Sequence, residues 1–209
     1  MAAPCPEPDF DHAAIDRYGG LVCGVDEAGR GPWAGPVVTA AVLCEPGRLP
    51  AGVNDSKALT ATERERLFAA IVAVASVSVT TASPALIDRI NIRAATLQAM
   101  RRAVGGLCTA PVAALIDGRD VPQGLGCPGE AVIGGDARSP LIAAASIVAK
   151  VVRDRLMVDL ARAVPGYGFE RHKGYGTPEH AEALGRLGPS RHHRRSFAPV
   201  RAVLAPTGA

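Results

Sequence analysis

The chain has 209 residues, 48% of them hydrophobic and 21% charged, which fits one domain with a packed core and leaves no case for disorder. No apolar stretch reaches the length of a bilayer span, and the first residues lack the basic and apolar regions of a signal peptide, so neither a membrane nor a secreted protein is expected. The net charge of +3 is uneven: no Asp or Glu follows Glu182, while Arg186, Arg191, Arg194, Arg195 and Arg201 do.

In chain order, residues 21–25 form a short apolar run ending at a glycine-rich turn. Residues 37–44 form a second run, richer in β-branched side chains. Thr60-Ala61-Thr62-Glu63 is a capping box opening a helix toward Val72. Residues 74–81 alternate as a half-buried strand should. Ser83-Pro84 and Ser139-Pro140 each offer an N-cap with proline at the first helical position. Shorter strands are predicted over 112–116 and 131–133. From Ser139, Leu141, Ala145, Val148, Val152, Leu156 and Leu160 step by three or four, predicting one buried stripe on a helix of about six turns. Thr177-Pro178 opens another helix, which Gly188-Pro189 stops. These elements predict one α/β domain with a mixed sheet. The division expected is an extension over 1–20, the domain over 21–188, and a basic C-terminal arm over 189–209 packed on it.

The five cysteines, Cys5, Cys23, Cys44, Cys108 and Cys127, are scattered and form no CxxC pair. Neither a zinc site nor a disulfide scaffold fits, and a reduced, cytoplasmic protein is expected. The basic tail suits an anionic partner such as nucleic acid. An arginine-rich solvated surface accounts for it equally well. Aromatic residues at 4% speak against a single-strand binder, which needs stacking platforms.

Three predicted strands end in acids beside glycine: Asp26 and Glu27, Asp117 before Gly118, and Asp136 after Gly134-Gly135. Taken singly, each suits a turn. Together, at strand ends where sites of open α/β sheets assemble, four carboxylates would repel one another unless cations intervened. Mg²⁺ and Mn²⁺ take carboxylate oxygen. Two such ions about 4 Å apart can activate a water and stabilise the departing oxygen of a phosphodiester. The following loop, Gly29-Arg30-Gly31-Pro32-Trp33-Ala34-Gly35-Pro36, allows close backbone approach to a ligand and carries an arginine suited to phosphate. It is neither a Walker loop nor a dinucleotide fingerprint.

Six co-linear segments carry a resemblance: DEAGRGPWAGPVV from Asp26, NDSK from Asn54, LIDG from Leu115, GDARSPLIAAASIVAKVVRDR from Gly135, HKGYGT from His172 and HRRSFAPV from His193. The chain resembles bacterial ribonuclease HII. The resemblance implies a ribonuclease H-like mixed sheet flanked by helices, with a C-terminal helical arm. It implies hydrolysis of the RNA strand of RNA–DNA hybrids and incision 5′ of single ribonucleotides embedded in duplex DNA. Two Mn²⁺ or Mg²⁺ ions would be held by Asp26, Glu27, Asp117 and Asp136, with Asp26 bridging them, leaving 3′-hydroxyl and 5′-phosphate ends. Gly29, Arg30 and Gly31 would contact the 2′-hydroxyl through backbone groups, which is what separates RNA from DNA at one position. Tyr175 would stack on the sugar on the DNA side of the junction, and Lys57 and Arg138 would contact phosphate. Trp33, Arg138 and Val152 depart from residues more usual in the family. The sister family, ribonuclease HIII, carries an extra N-terminal substrate-binding domain.

The remaining expectations are plainer. His172, His192 and His193 are candidates for a general base or for a basic DNA-contacting surface. Lys150 could reach phosphate or Asp154, Tyr167 packs, and Asp120, Asp154 and Asp159 are surface or salt-bridge acids. A monomer is expected.

Overall fold

The computed structural model describes residues 6, 8–45 and 47–204; Cys5 lies outside them. Five strands form one sheet: β1 (Val22–Ala28), β2 (Val37–Leu43), β3 (Ser76–Ala82), β4 (Ala113–Asp117) and β5 (Gly129–Val132), in the order β3-β2-β1-β4-β5. β1, β2 and β3 are antiparallel neighbours, while β4 and β5 add in parallel. The sheet is therefore mixed, and β1 lies at its centre.

Helices cover both faces. They are α1 (Asp9–Tyr18), α2 (Ala61–Val74), α3 (Pro84–Ile90), α4 (Ile92–Gly105), α5 (Pro140–Ala163), α6 (Phe169–His172), α7 (Pro178–Leu187) and α8 (Ala198–Leu204), with a 3₁₀ turn at Gly135–Ala137. The alternation of strand side chains sorts the core in two. Val22, Ala40, Val42 and Leu115 pack under α5 and α2. Cys23, Val25, Ala41, Leu43, Ala114 and Ile116 pack against Met100, Ala103 and Val104 of α4. Burying each of these Val, Leu and Ile side chains contributes about 1.5–3 kcal/mol. Gly24 lets the start of α5 lie directly on β1, since a Cβ there would overlap the backbone of Leu141.

The expected caps form. Thr60 accepts from the Glu63 N–H at 3.2 Å while the Glu63 carboxylate receives the Thr60 N–H at 2.8 Å. Ser83, Ser139 and Thr177 accept from Leu86, Ile142 and His180. The helix opened at Ser83 stops at Asn91, whose φ of 67° breaks it and whose side chain accepts from the Ala94 N–H to start α4. Other expectations need correction. The fifth strand lies over Gly129–Val132, leaving Ile133 63% exposed. The single stripe on α5 is also wrong. Residues 141–149 are buried on every side, because the sheet and α2 enclose them. Farther along, Arg153 and Met157 face inward and Leu156 does not.

Helix α1 joins the same core through Ala14, Phe10 and Ile15. Its buried Asp11 accepts from the Ser139 hydroxyl at 2.6 Å and the Leu141 N–H at 3.0 Å, bracing the start of α5. The described cysteines are free, and among the described residues no helix is long and apolar enough to cross a membrane.

Candidate active site at the ends of β1 and β4

Parallel pairing of β1 with β4 runs to Val25 opposite Ile116. The next residues are Asp26 and Asp117, so two carboxylates stand side by side on the face toward α5. Glu27 takes the other face, toward α4. Asp136 comes from the 3₁₀ turn after β5. The Gly135 N–H, donating to Asp117 Oδ1 at 2.8 Å, ties that turn to the end of β4. The four acids thus lie close enough at the ends of β1, β4 and β5 to feel one another's charge.

Their electrostatics are those of crowded anions. Burial pushes Asp26 well above the usual carboxylate range, and the charges of Glu27 and Asp117 add to it. Burial also raises Glu27, with Asp117 adding and Arg30 opposing. Asp136 is raised by burial and by Asp55, against the pull of Lys57. Lys57 Nζ lies 3.4 Å from Asp136 Oδ2 and 3.6 Å from Asp55 Oδ1. Burial pulls that lysine down, but Asp55, Asp136 and Asp26 outweigh it and hold it above its ordinary value. Among the described residues no three His, Cys, Asp or Glu side chains already close around a common point. The donor set nevertheless suits a hard divalent cation: carboxylate oxygens gathered at the strand ends, with burial making Asp26, Glu27 and Asp136 costly to ionise without a compensating charge.

The loop after β1 is shaped from behind by two buried arginines. Arg194, fully buried, donates to the carbonyls of Gly29 at 2.6 Å, Arg30 at 2.7 Å and Gly35 at 2.9–3.0 Å. Arg153, equally buried, donates to the carbonyls of Pro36 at 3.1 Å, Ala34 at 3.4 Å and Lys173 at 3.0 Å. A trans peptide points its N–H opposite to its C=O. Holding the carbonyls of Gly29 and Arg30 inward therefore turns the N–H groups of Arg30 and Gly31 outward. Gly29 has φ +94°, and a Cβ on it would overlap the Arg153 guanidinium, so glycine is required there.

Tyr175 stands beside this loop. A Cβ on Gly31 would lie 3.9 Å from its ring, and the Arg153 guanidinium lies 5.7 Å from the ring centroid. The ring is 44% exposed. Gly29, Arg30, Gly31, Tyr175, Lys57 and the four acids therefore share one neighbourhood. Arg138 is exposed two residues after Asp136, with its guanidinium 4.8 Å from the centroid of the Phe10 ring on α1.

Some residues were missed or misread. Ser146, which hydrogen-bonds Asp26 and lies 2.9 Å from the Ser56 hydroxyl, is the one polar side chain within the apolar run 141–149. That interruption was its signal. Arg194 is not part of a solvated basic tail but a buried clamp. His172 and His193 are buried, so neither serves as a DNA-contacting surface, and neither belongs to the carboxylate cluster. Lys150 pairs with Asp154 at 2.9 Å, and Tyr167 packs, its hydroxyl donating to the Gly188 carbonyl.

Comparison with known proteins settles the family. The family model for ribonuclease HII matches residues 23–200. The chain belongs to the ribonuclease HII family. It is thus a nuclease of the ribonuclease H type. Ribonuclease HII of Azorhizobium caulinodans is 65% identical over 181 residues, covering 87% of this chain and 70% of that one. Ribonuclease HII of Jannaschia is 56% identical over 198 residues, covering 94% and 98%. Among solved structures, ribonuclease H2 of Pyrococcus horikoshii OT3 superimposes with a TM-score of 0.75 at 27% identity, covering 88% of this chain and 96% of that one. The Archaeoglobus fulgidus ribonuclease HII, solved in complex with PCNA, gives 0.73 at 30% identity, covering 85% and 95%. A ribonuclease HIII solved with Mn²⁺ shares the fold, with a TM-score of 0.68 at 21% identity, covering 88% and 69%.

Proposed function

We propose that the protein hydrolyses the RNA strand of RNA–DNA hybrids and incises 5′ of single ribonucleotides embedded in duplex DNA, leaving 3′-hydroxyl and 5′-phosphate ends. The observation that carries this reading is the placement of Asp26 and Asp117 one residue beyond the last β1–β4 pair, Val25 opposite Ile116, next to a loop whose Arg30 and Gly31 N–H groups turn away from the buried Arg194 and whose Gly31 lies beside the Tyr175 ring.

Asp26, Glu27, Asp117 and Asp136 would hold Mn²⁺ or Mg²⁺, in a two-ion arrangement with substrate. Bound there, the ions would activate the attacking water and neutralise charge on the departing 3′-oxygen. The protein supplies the rest. Ser146 orients Asp26, and the Gly135 N–H orients Asp117. The N–H groups of Arg30 and Gly31, aimed by Arg194, read the 2′-hydroxyl. Tyr175 stacks on the neighbouring deoxyribose, so selection of an RNA-to-DNA step needs no base contact. Lys57, Arg30 and Arg138 meet phosphates. Residues 21–188 form the catalytic unit, with 189–204 of the expected C-terminal arm packed on it and 205–209 outside the described residues, in a cytoplasmic monomer.

The test is Asp26→Asn assayed on a uniform RNA–DNA hybrid with Mg²⁺, Mn²⁺ or chelator. Loss of cleavage by at least about a thousandfold is expected, with the fold retained. Turnover at the wild-type rate would refute the assignment.

A further inference from the structure

Behind Tyr175 lie imidazoles that the proposed chemistry does not use. His172, His180 and His193 are all buried. His172 stacks on His180 with centroids 4.6 Å apart, and Phe169 meets both His180 and His193 at 5.5–5.6 Å.

The partners of each ring fix its tautomer. The backbone N–H of Ser190 can only donate, and it reaches His193 Nδ1 at 3.1 Å. The His193 proton therefore sits on Nε2. That atom lies 3.1 Å from His180 Nε2, which must accept. The His180 proton is then on Nδ1, which faces the Tyr175 carbonyl at 2.9 Å, a group that can only accept. The Ser190 hydroxyl, 2.9 Å from the same His193 Nδ1, can donate as well as accept and so is compatible with this assignment, and the chain runs one way: Ser190 N–H to His193, His193 to His180, His180 to the Tyr175 carbonyl. His172 is set independently, accepting from the Gly174 N–H at 3.1 Å and donating to the Tyr167 carbonyl at 2.7 Å.

This chain couples the two halves of the substrate-reading surface. Its origin, Ser190 to His193, lies on the segment whose Arg194 holds the carbonyls of Gly29 and Arg30. Its end is the backbone of Tyr175. Trp33 lies between, its N–H on the Gly174 carbonyl at 2.8 Å, its carbonyl receiving the Arg194 N–H at 2.8 Å, and its ring 5.3 Å from that of His180. Burial, with His172 adding and the hydrogen bonds to the Tyr175 and Gly174 backbone and the charge of Glu179 opposing, holds His180 below the ordinary imidazole value. His193 is kept uncharged by burial and by the nearby imidazoles of His180 and His192. A second proton on either ring would place two donors face to face and break the chain.

We propose that His180 and His193 are positioning residues for Tyr175, a neutral two-imidazole relay that sets the tyrosine beside Gly31 and thereby governs recognition of the sugar next to the cut. The proposal rests on the reading of Tyr175 as the sugar-stacking residue.

Two measurements test it. Long-range ¹H–¹⁵N correlation of the histidine rings at pH 7 should show His180 protonated at Nδ1 and His193 at Nε2; the opposite tautomer at His180 would overturn the relay. In kinetics on a single-ribonucleotide duplex, Tyr175→Ala and His180→Phe should each raise KM about tenfold and leave kcat within about twofold. His180→Phe added to Tyr175→Ala should cost less than about twofold more. His193→Gln, whose amide can still donate to His180, should stay within about threefold of wild type, whereas His193→Leu should behave like His180→Phe and stands in for it if that variant does not fold. Equal effects of His180→Phe with and without Tyr175 would sink the relay, as would an unchanged KM in His180→Phe when Tyr175→Ala raises it. An unchanged KM in Tyr175→Ala would instead remove the reading of Tyr175, and the relay's purpose with it.

Discussion

The guanidinium of Arg194 donates to the carbonyl of Gly29 at 2.6 Å across 165 residues of sequence. One buried side chain from the C-terminal segment therefore decides which way the peptides after the first strand face. Replacing it with Met leaves the carbonyls of Gly29, Arg30 and Gly35 without donors, at about 1–3 kcal/mol for each group left buried. We expect Arg194→Met to lower the melting temperature by about 10 °C and to lose preference for ribonucleotide over deoxyribonucleotide sites. Arg194→Lys, with a compact ammonium in place of a fork, should recover only part of each. Thermal denaturation and competition cleavage check both.

The acid cluster predicts a pH signature in the metal-free protein. Folding raises Asp26, Glu27 and Asp136 above their ordinary values, so the unfolded chain releases their protons first. Stability is then lost as pH climbs from the ordinary carboxylate range through the raised values. Asp26→Asn removes the largest of these costs. Its melting temperature relative to wild type should rise with pH and level off once Asp26 is fully ionised. Saturating Mg²⁺ or Mn²⁺ should stabilise wild type and close that gap. Melting curves of both proteins across pH, with and without metal, measure it.

His193 predicts the opposite slope at the acid end. Burial and the neighbouring imidazole of His180 push it down to about 4, below its ordinary 6.5, so stability is full above 6.5 and is lost as pH falls toward 4. The loss at stake is on the order of 1–3 kcal/mol. His193→Gln cannot take up that proton, so its melting temperature should fall less than that of wild type between pH 6.5 and 4.5.

What was legible in the sequence were residues that contradict their local setting. Acids at strand ends beside glycine stand out because strands disfavour them, and Asp26, Glu27, Asp117 and Asp136 lie close enough to perturb one another electrostatically. Thr60, Ser83, Ser139 and Thr177 announce helices because capping is local chemistry. The clamps were not legible in that way. Arg153 and Arg194 are buried because distant carbonyls converge on them, and local composition carries no record of that convergence. For Arg153 a faint signal exists: it steps by four from Ala149 and to Met157, both buried. The imidazoles His180 and His193 are 13 residues apart, joined only by the return of the chain after α7.

The exposed arginines of the C-terminal segment, Arg191, Arg195 and Arg201, are free of the clamp that Arg194 forms. Neutralising all three as glutamine should weaken duplex binding about equally for all sequences. It should also reduce the slope of log affinity against log salt by about 0.9 for each phosphate contact removed. The melting temperature should hold. Salt titrations of binding to plain and ribonucleotide-bearing duplexes separate this general attraction from the reading proposed for Arg30 and Gly31.

In the proposed function the carboxylates and the loop beside Tyr175 form one device, cutting where RNA gives way to DNA. End-labelled duplex DNA carrying one internal ribonucleotide, incubated with Mg²⁺, Mn²⁺ or chelator and with the nick mapped to the nucleotide, tests both parts at once. A metal-dependent cut on the 5′ side of the ribonucleotide, leaving a 3′-hydroxyl, is expected. Cutting confined to long RNA stretches, or cutting that persists in chelator, would contradict it.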